Sequence, residues 1–171
     1  ENGRWDTSGV TMTATPSGDG YELNGIKSFV LDGHTAERII VLARQPGTAG
    51  DAGLSLFSVA ADAAGLERRL LQSTDATRKL ARLEFKAVTG NLLGEAGGAA
   101  APLAKTLDQA VACLANEMVG GAEALREQAL DYAQMRMQFG RTIASFQTMK
   151  HKSADMLIEV EMAKSADLCF M

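Results

Sequence analysis

The spacing of apolar residues changes once along this chain, and the change divides it. Up to about residue 95 the apolar residues fall at every second position in short runs, whereas after Asn91-Leu92-Leu93-Gly94 they fall at every third and fourth. A strand turns alternate residues to one face and a helix turns residues three and four apart, so no single regular element satisfies both halves. The spacing predicts β structure over 1–95 and helix over 96–171.

In the first half, Val10, Met12 and Ala14 alternate with Thr11, Thr13 and Thr15, the pattern of a half-buried strand rich in β-branched residues. Pro16-Ser17-Gly18-Asp19-Gly20 reads as a turn. Asn24-Gly25, between Tyr21–Leu23 and Ile26–Leu31, predicts a tight hairpin because Asn-Gly readily supplies two positive φ angles. Further strands are expected at Arg38–Ala43, Leu54–Val59, Leu66–Leu70 and Leu80–Phe85. Short strands at this spacing suggest a sandwich or small barrel.

In the second half, Leu103, Leu107, Ala110, Val111, Leu114, Met118, Ala122, Leu125, Ala129 and Tyr132 predict one apolar face of a helix longer than most globular helices. Gly120-Gly121 in its middle costs about 1 kcal/mol per Gly against Ala, so close approach of another backbone is expected there. Gly140 is expected to end the helix as a left-handed cap, and Ser145 to cap the next one. Phe146, Met149, Ser153, Met156, Leu157, Val160 and Ala163 mark the face of that second helix. Two long helices on a short link form a hairpin that belongs in a bundle, and they leave apolar surface for further partners.

Composition excludes several functions. Seventeen basic and 21 acidic residues leave a formal charge of −4, with both signs mixed, so the basic stripe of a nucleic-acid binder is missing. Apolar runs are too short for a membrane span. Cys113 and Cys169 lack metal-ligand spacing and read as reduced core thiols, and without a signal segment a cytoplasmic location is expected. The chain opens at Glu1 without Met and stops at Met171 inside a helical pattern, so a longer parent is expected.

Tyr132-Ala133-Gln134-Met135-Arg136-Met137-Gln138-Phe139-Gly140-Arg141-Thr142-Ile143, then Phe146-Gln147 and Ala154-Asp155-Met156, resembles the signature of the acyl-CoA dehydrogenase family. Tyr21 to Lys27, Ala36, Val41 to Arg44 and Asn91 to Gly94 resemble that family's middle-domain strands and domain junction. The resemblance implies an α+β chain: a middle β-barrel domain over 1–95, followed over 96–171 by the first two helices of a C-terminal four-helix bundle. It also implies FAD, an acyl-CoA substrate, an electron acceptor such as an electron-transfer flavoprotein, and a homodimer or homotetramer. The reaction implied is α,β-dehydrogenation of the thioester to a trans-2-enoyl-CoA, in which a carboxylate takes the α proton and flavin takes the β hydride.

Residue by residue, the resemblance assigns Arg136 to the pyrophosphate of the neighbouring subunit's FAD, where a guanidinium offers a fixed fork, and Gln138, Phe139 and Gln147 to the same cofactor. Without the surrounding motif, Arg136 would read as a solvated residue beside a capping turn. Phe29, Val30 and Leu31 align with the strand lying against the isoalloxazine, although Leu31 lacks the hydroxyl many members carry there. Asp108 aligns with an acyl-CoA contact, a carboxylate that could equally serve the helix dipole. Ala110 stands where one branch of the family has its catalytic Glu and Val111 where many have Arg, so the base is expected beyond Met171. Glu117, on the same face, reads as an ion-pair residue. A second reading follows from Ala110, Val111 and Leu31: a non-catalytic subunit completing a partner's FAD or substrate site. A truncated, cofactor-free relic is a third. His34 and His151 have no ligand or base partner at useful spacing, no metal site is expected, and the Gly pairs form neither a P-loop nor a dinucleotide fingerprint.

Overall fold

Six strands form at or near the expected runs: β1 (Thr13–Ser17), β2 (Gly20–Leu31), β3 (Arg38–Arg44), β4 (Leu54–Ala60), β5 (Leu66–Leu70) and β6 (Leu80–Leu93), with β1 taking in Pro16-Ser17 of the expected turn and β6 running on past Phe85 to Leu93. The computed structural model describes residues 6–168, which divide into two compact units between Lys105 and Thr106. In the first unit, β1 pairs antiparallel with β2, β2 with β6, β6 with β4 and β4 with β3; Thr13 beside Arg44 joins β1 to β3 in parallel and closes a five-stranded barrel. β5 lies along β6 as a sixth strand. Closure removes the free edges that an open sheet of these strands would present.

Inward residues fill the barrel. Met12, Leu23, Phe57, Val59, Leu83 and Val88 are wholly buried, and Tyr21 packs its ring 5.0 Å from Phe57 at 56°. Arg44 reaches the edge of this core without a carboxylate. Its buried guanidinium donates instead to the carbonyls of Thr7 (3.0 Å), Val10 (3.2 Å), Gly50 (2.7 Å) and Ala52 (2.8 Å), which ties the residues before β1 to the β3–β4 loop.

Asn24-Gly25 does not make a hairpin. The β1–β2 turn is Gly18-Asp19, with Ser17 opposite Gly20, and β2 runs on through Asn24. Leu23 pairs with Val88 and Gly25 with Phe85, so β6 carries an extra residue, and Ala87 takes a left-handed φ of 53°. Asn24 Oδ1 accepts the Ala87 N–H at 2.8 Å and stabilises that bulge. Gly25, at φ 144°, leaves room for β1: a Cβ there would lie 2.9 Å from Met12 Cα. The dipeptide's conformational freedom is used for a bulge and a close crossing.

The second unit is a helical hairpin. α1 (Ala100–Met135) and α2 (Gln147–Leu168) flank a two-stranded ribbon of β7 (Met137–Gln138) and β8 (Arg141–Thr142) and a 3₁₀ turn at Ile143–Ser145. Lys164 of α2 bonds Glu123 of α1, and also Glu161 at 3.0 Å. Beside that bridge Arg126 and Leu130 face Ser153, Ala154, Met156 and Leu157 across a cavity of about 190 Å³. The side of α1 turned to α2 therefore carries Glu123, Arg126 and Leu130. The expected stripe lies elsewhere, with Val111, Met118, Leu125 and Tyr132 55–70% exposed.

Four local expectations are corrected. A Cβ at Gly120 or Gly121 would meet nothing within 4 Å among the described residues, so no backbone crosses there. α1 ends at Met135, and Gly140 turns the ribbon instead. Ser145 Oγ donates to Thr142 O inside the 3₁₀ turn, while the Phe146 carbonyl accepts the N–H groups of Met149 and Lys150 that open α2. Cys113 is exposed because it sits off the face α1 turns to α2; Cys169 lies outside the described residues. Among the described residues no helix is long and apolar enough to cross a membrane, and no group of three potential metal ligands gathers.

Candidate functional site

The sequence-derived candidates fall into two local clusters, one in each unit. The first is the end of β2. Lys27 pairs with Leu83 and Val30 with Ala81, three steps on β2 against two on β6, so a bulge falls at Ser28-Phe29. Phe29 adopts φ 59° and its side chain is 69% exposed. A bulky aromatic in the left-handed region costs on the order of 1–3 kcal/mol, and it is held there only where the surroundings demand it. Val30 is half-buried against the barrel core and Leu31 is 62% exposed. The outcome is a projecting aromatic ring beside an apolar side chain, on a strand fixed by ladder bonds on either side of the bulge.

A short loop secures this strand end. Asp32, itself at φ 50°, donates its N–H to Lys79 O at 2.9 Å, and Gly33 N–H returns to Val30 O at 3.3 Å. The Asp32 carbonyl accepts the Thr35 and Ala36 N–H groups, both at 2.9 Å, and the Thr35 hydroxyl at 3.2 Å. From β5, Arg68 Nη1 donates to Ala36 O at 3.1 Å and, more weakly, to Gly33 O at 3.5 Å.

The second cluster is the ribbon between the helices. Met137 pairs with Thr142 and Gln138 with Arg141, leaving Phe139 and Gly140 as a two-residue turn with φ 54° and 75°. Two positive φ angles define the type I′ turn that suits the twist of a hairpin. Gly accepts this freely, whereas Phe139 is a second left-handed aromatic, 90% exposed at the tip. Its ring meets Phe146 edge-on at 6.1 Å, and Arg141 stacks its guanidinium over Phe146 at 4.1 Å. Arg136 anchors the base through its backbone, donating to Tyr132 O and accepting from Ile143 N–H, both at 2.9 Å. Its exposed guanidinium meets no acceptor among the described residues. Gln138 folds its amide onto Met137 O at 2.8 Å, and Gln147 contacts His151 Nε2 at 3.0 Å.

Arg136, Gln138 and Phe139 are thus brought onto one ribbon, with Gln147 opening the helix that follows. Asp108 stands exposed on α1, more than two turns after its start. Ala110 is half-buried and Val111 exposed. Sequence reasoning did not anticipate the stacking role of Arg141, the His151–Gln147 pair or the Arg68 tie. Arg141, five residues before Phe146, was a readable signal; Arg68 was not, since its acceptors are carbonyls 32 and 35 residues away.

Charge is tuned at a few exposed places. The Thr77 hydroxyl, and then its N–H, donate to Asp75 and hold that carboxyl below its ordinary value. A hydrogen bond from Lys86 to Glu67, with Glu84 adding its field, holds the ammonium above its own. Asp75 and Thr77 lie in the loop, and Lys86 and Glu67 on the strands, of the β5–β6 hairpin that carries Arg68.

Comparison with known proteins agrees with this architecture. Residues 1–88 match the family described as acyl-CoA dehydrogenase, middle domain, and residues 96–168 match acyl-CoA dehydrogenase, C-terminal domain. The short-chain specific acyl-CoA dehydrogenase of Megasphaera elsdenii is 32% identical over 170 residues, covering 96% of this chain and 44% of the relative. The three-dimensional structure of butyryl-CoA dehydrogenase from Megasphaera elsdenii superposes with a TM-score of 0.88 at 31% identity, covering 98% of this chain and 45% of that one. A structure of PigA with FAD and proline gives 0.85 at 28% identity over 94% of this chain and 43% of its own. The chain spans less than half the length of these relatives. With both units matched in order, and the ribbon motif built as a strained, exposed turn, the chain belongs to the acyl-CoA dehydrogenase family.

Proposed function

We propose that residues 1–95 form the middle domain and residues 96–171 the first part of the C-terminal domain of an FAD-dependent acyl-CoA dehydrogenase, which converts an acyl-CoA thioester to its trans-2-enoyl-CoA. Support comes from what the two clusters leave available. Phe29 and Phe139 hold aromatic rings outward at a cost in backbone energy, and the Arg136 guanidinium meets no acceptor among the described residues. Each fits one part of FAD: a planar ring system can lie against Phe29, and the fork of Arg136 can grip two pyrophosphate oxygens of the neighbouring subunit's FAD. Bound FAD would supply the two-electron sink for the β hydride. Gln138 and Gln147 each keep amide atoms for a polar ligand, and Asp108 is offered to the acyl-CoA.

Arg136 is the observation that carries this reading. Replacing it by Ala should lower flavin absorbance in the purified full-length protein while leaving its melting temperature within about 2 °C, as for an exposed side chain without partners. Unchanged flavin content would defeat the assignment. Electrons would then pass to an acceptor such as an electron-transfer flavoprotein, and the assembly would be a homodimer or homotetramer.

A second reading is favoured by Ala110 and Leu31, which present methyl groups where a proton acceptor and a hydroxyl are expected. In it the chain completes a partner's FAD or substrate site and performs no proton transfer itself. The two readings part at the base expected beyond Met171: a carboxylate there facing the flavin supports the enzyme, and none there supports the partner subunit. With the base so placed, Glu117→Gln in the full-length protein leaves turnover within a few-fold. Abolished turnover with flavin still bound would make Glu117 the base.

A further inference from the structure

The side chain of Arg68 joins two parts of the barrel that no strand pairing joins. β5 pairs with β6 alone, yet Arg68 Nη1 reaches over to the carbonyls of Ala36 and Gly33 in the loop following β2. Leu83 of β6 fixes where this happens. It pairs with Lys27 on one side, the last residue in register before the Phe29 bulge, and with Arg68 on the other. We propose that Arg68 is a positioning residue for the flavin contact: through the 32–36 loop it keeps Phe29 left-handed and its ring projecting. The proposal rests on the assignment of Phe29 to FAD made above.

The bulge can be lost in one simple way. If Val30 and Leu31 slide back by one residue along β6, Phe29 returns to extended geometry, and every side chain beyond it changes face. The loop opposes that slide. Asp32 N–H is committed to Lys79 O, Gly33 N–H to Val30 O, and the Asp32 carbonyl to Thr35 and Ala36. Gly33 is buried so closely that a Cβ would stand 3.0 Å from Val30 Cγ1. The Gly33 and Asp32-carbonyl bonds are local to the loop and move with it, whereas Asp32 N–H to Lys79 O holds its start to the β6 entry and the guanidinium of Arg68, half-buried on a different strand, holds its far end. A charged donor on two carbonyls is a stronger tie than a neutral one.

The test uses the full-length protein carrying Arg68→Met, Arg68→Lys, Phe29→Ala and the double variant Phe29→Ala/Arg68→Met, with Arg69→Met as the neighbouring exposed control. Two quantities are read: amide hydrogen exchange over 32–36 without FAD, and FAD dissociation constants by titration. Arg68→Met should speed exchange at Thr35 and Ala36 by about tenfold and weaken FAD by about fivefold, the scale of a lost charge-assisted bond, with Arg68→Lys recovering part of both. Arg69→Met should change neither. Because Arg68 acts through Phe29, adding Arg68→Met to Phe29→Ala should cause no further loss of FAD. Unchanged exchange in Arg68→Met overturns the tie. Faster exchange with intact FAD affinity, or an equal loss of affinity in the Phe29→Ala background, overturns its action through Phe29. If Phe29→Ala itself leaves FAD binding unaltered, or the parent binds none, the cofactor reading of Phe29 fails, and the exchange result still decides whether the tie exists.

Discussion

Phe139 shows how a single residue can work against its own backbone. In a type I′ turn both central positions need positive φ, and Asn-Gly is the pair that accepts this best; here Phe139-Gly140 occupies them. The left-handed region costs a Cβ-bearing residue about 1–2 kcal/mol, and a side chain that is 90% exposed recovers little of it by burial. Such an outlier is explained most simply by use. Phe139→Asn should therefore keep or raise stability, by up to about 1 kcal/mol, while weakening FAD binding. Thermal melting and flavin titration of the same variant check both halves. A fall of several degrees would instead mean that the edge contact with Phe146 holds the ribbon together.

Whole elements were more legible than the joints between them. Period-two spacing placed part of every strand of the barrel, since alternation between core and solvent is enforced by burial of Leu23, Val41, Phe57, Val59 and Leu83, but it missed the stretch of β6 beyond Phe85 that meets β4 at Asn91–Leu93. The change to helical spacing likewise placed both long helices. Asn24-Gly25 misled because its positive φ capacity is a local property, whereas the partner that uses it, Met12 crossing within 2.9 Å of a Gly25 Cβ, is set by tertiary structure. The Arg136 to Gln147 candidates were legible through their motif, but Phe139 as a turn residue was hidden by the expectation that Gly140 capped a helix. Which face of α1 meets α2 was misjudged for another reason: Glu123 and Arg126 look like solvated residues until Lys164 and the cavity opposite are seen. That seam makes a prediction. Hydrogen bonds first to Glu123 and then to Glu161 hold Lys164 above its ordinary value near 10.5. A group whose value is raised on folding contributes stability that is complete below the unfolded value and lost as pH rises through the folded one. The melting temperature of the helical unit should therefore fall above about pH 10, and Lys164→Met should flatten that fall. An identical alkaline profile in the variant would show that the bridge contributes nothing.

The molecule as a whole carries more apolar surface than its own packing covers. On α1, Val111, Met118, Leu125 and Tyr132 repeat at seven-residue spacing with Ala115, Ala122 and Ala129 between them, and the four large side chains remain 55–70% exposed. A seven-residue repeat keeps one narrow face in line over several turns, and alternating large and small residues let a second helix approach closely along it. Isolated exposed Leu or Met residues are ordinary, but a contiguous stripe of this length marks a contact surface in a soluble protein. In the full-length protein the remaining helices of the bundle, a second copy of the chain, or both cover such a stripe; closed two-fold assembly is the commonest way for identical chains to do so, because each copy buries the same face of the other. The full-length protein should accordingly run as a dimer or tetramer in light scattering. Leu125→Glu, placing a charge in the middle of the stripe, should shift it toward smaller species while circular dichroism stays helical, since that side chain is 67% exposed within its own chain. A full-length protein that scatters as a monomer would remove the argument for assembly; an assembly indifferent to Leu125→Glu would place the interface elsewhere.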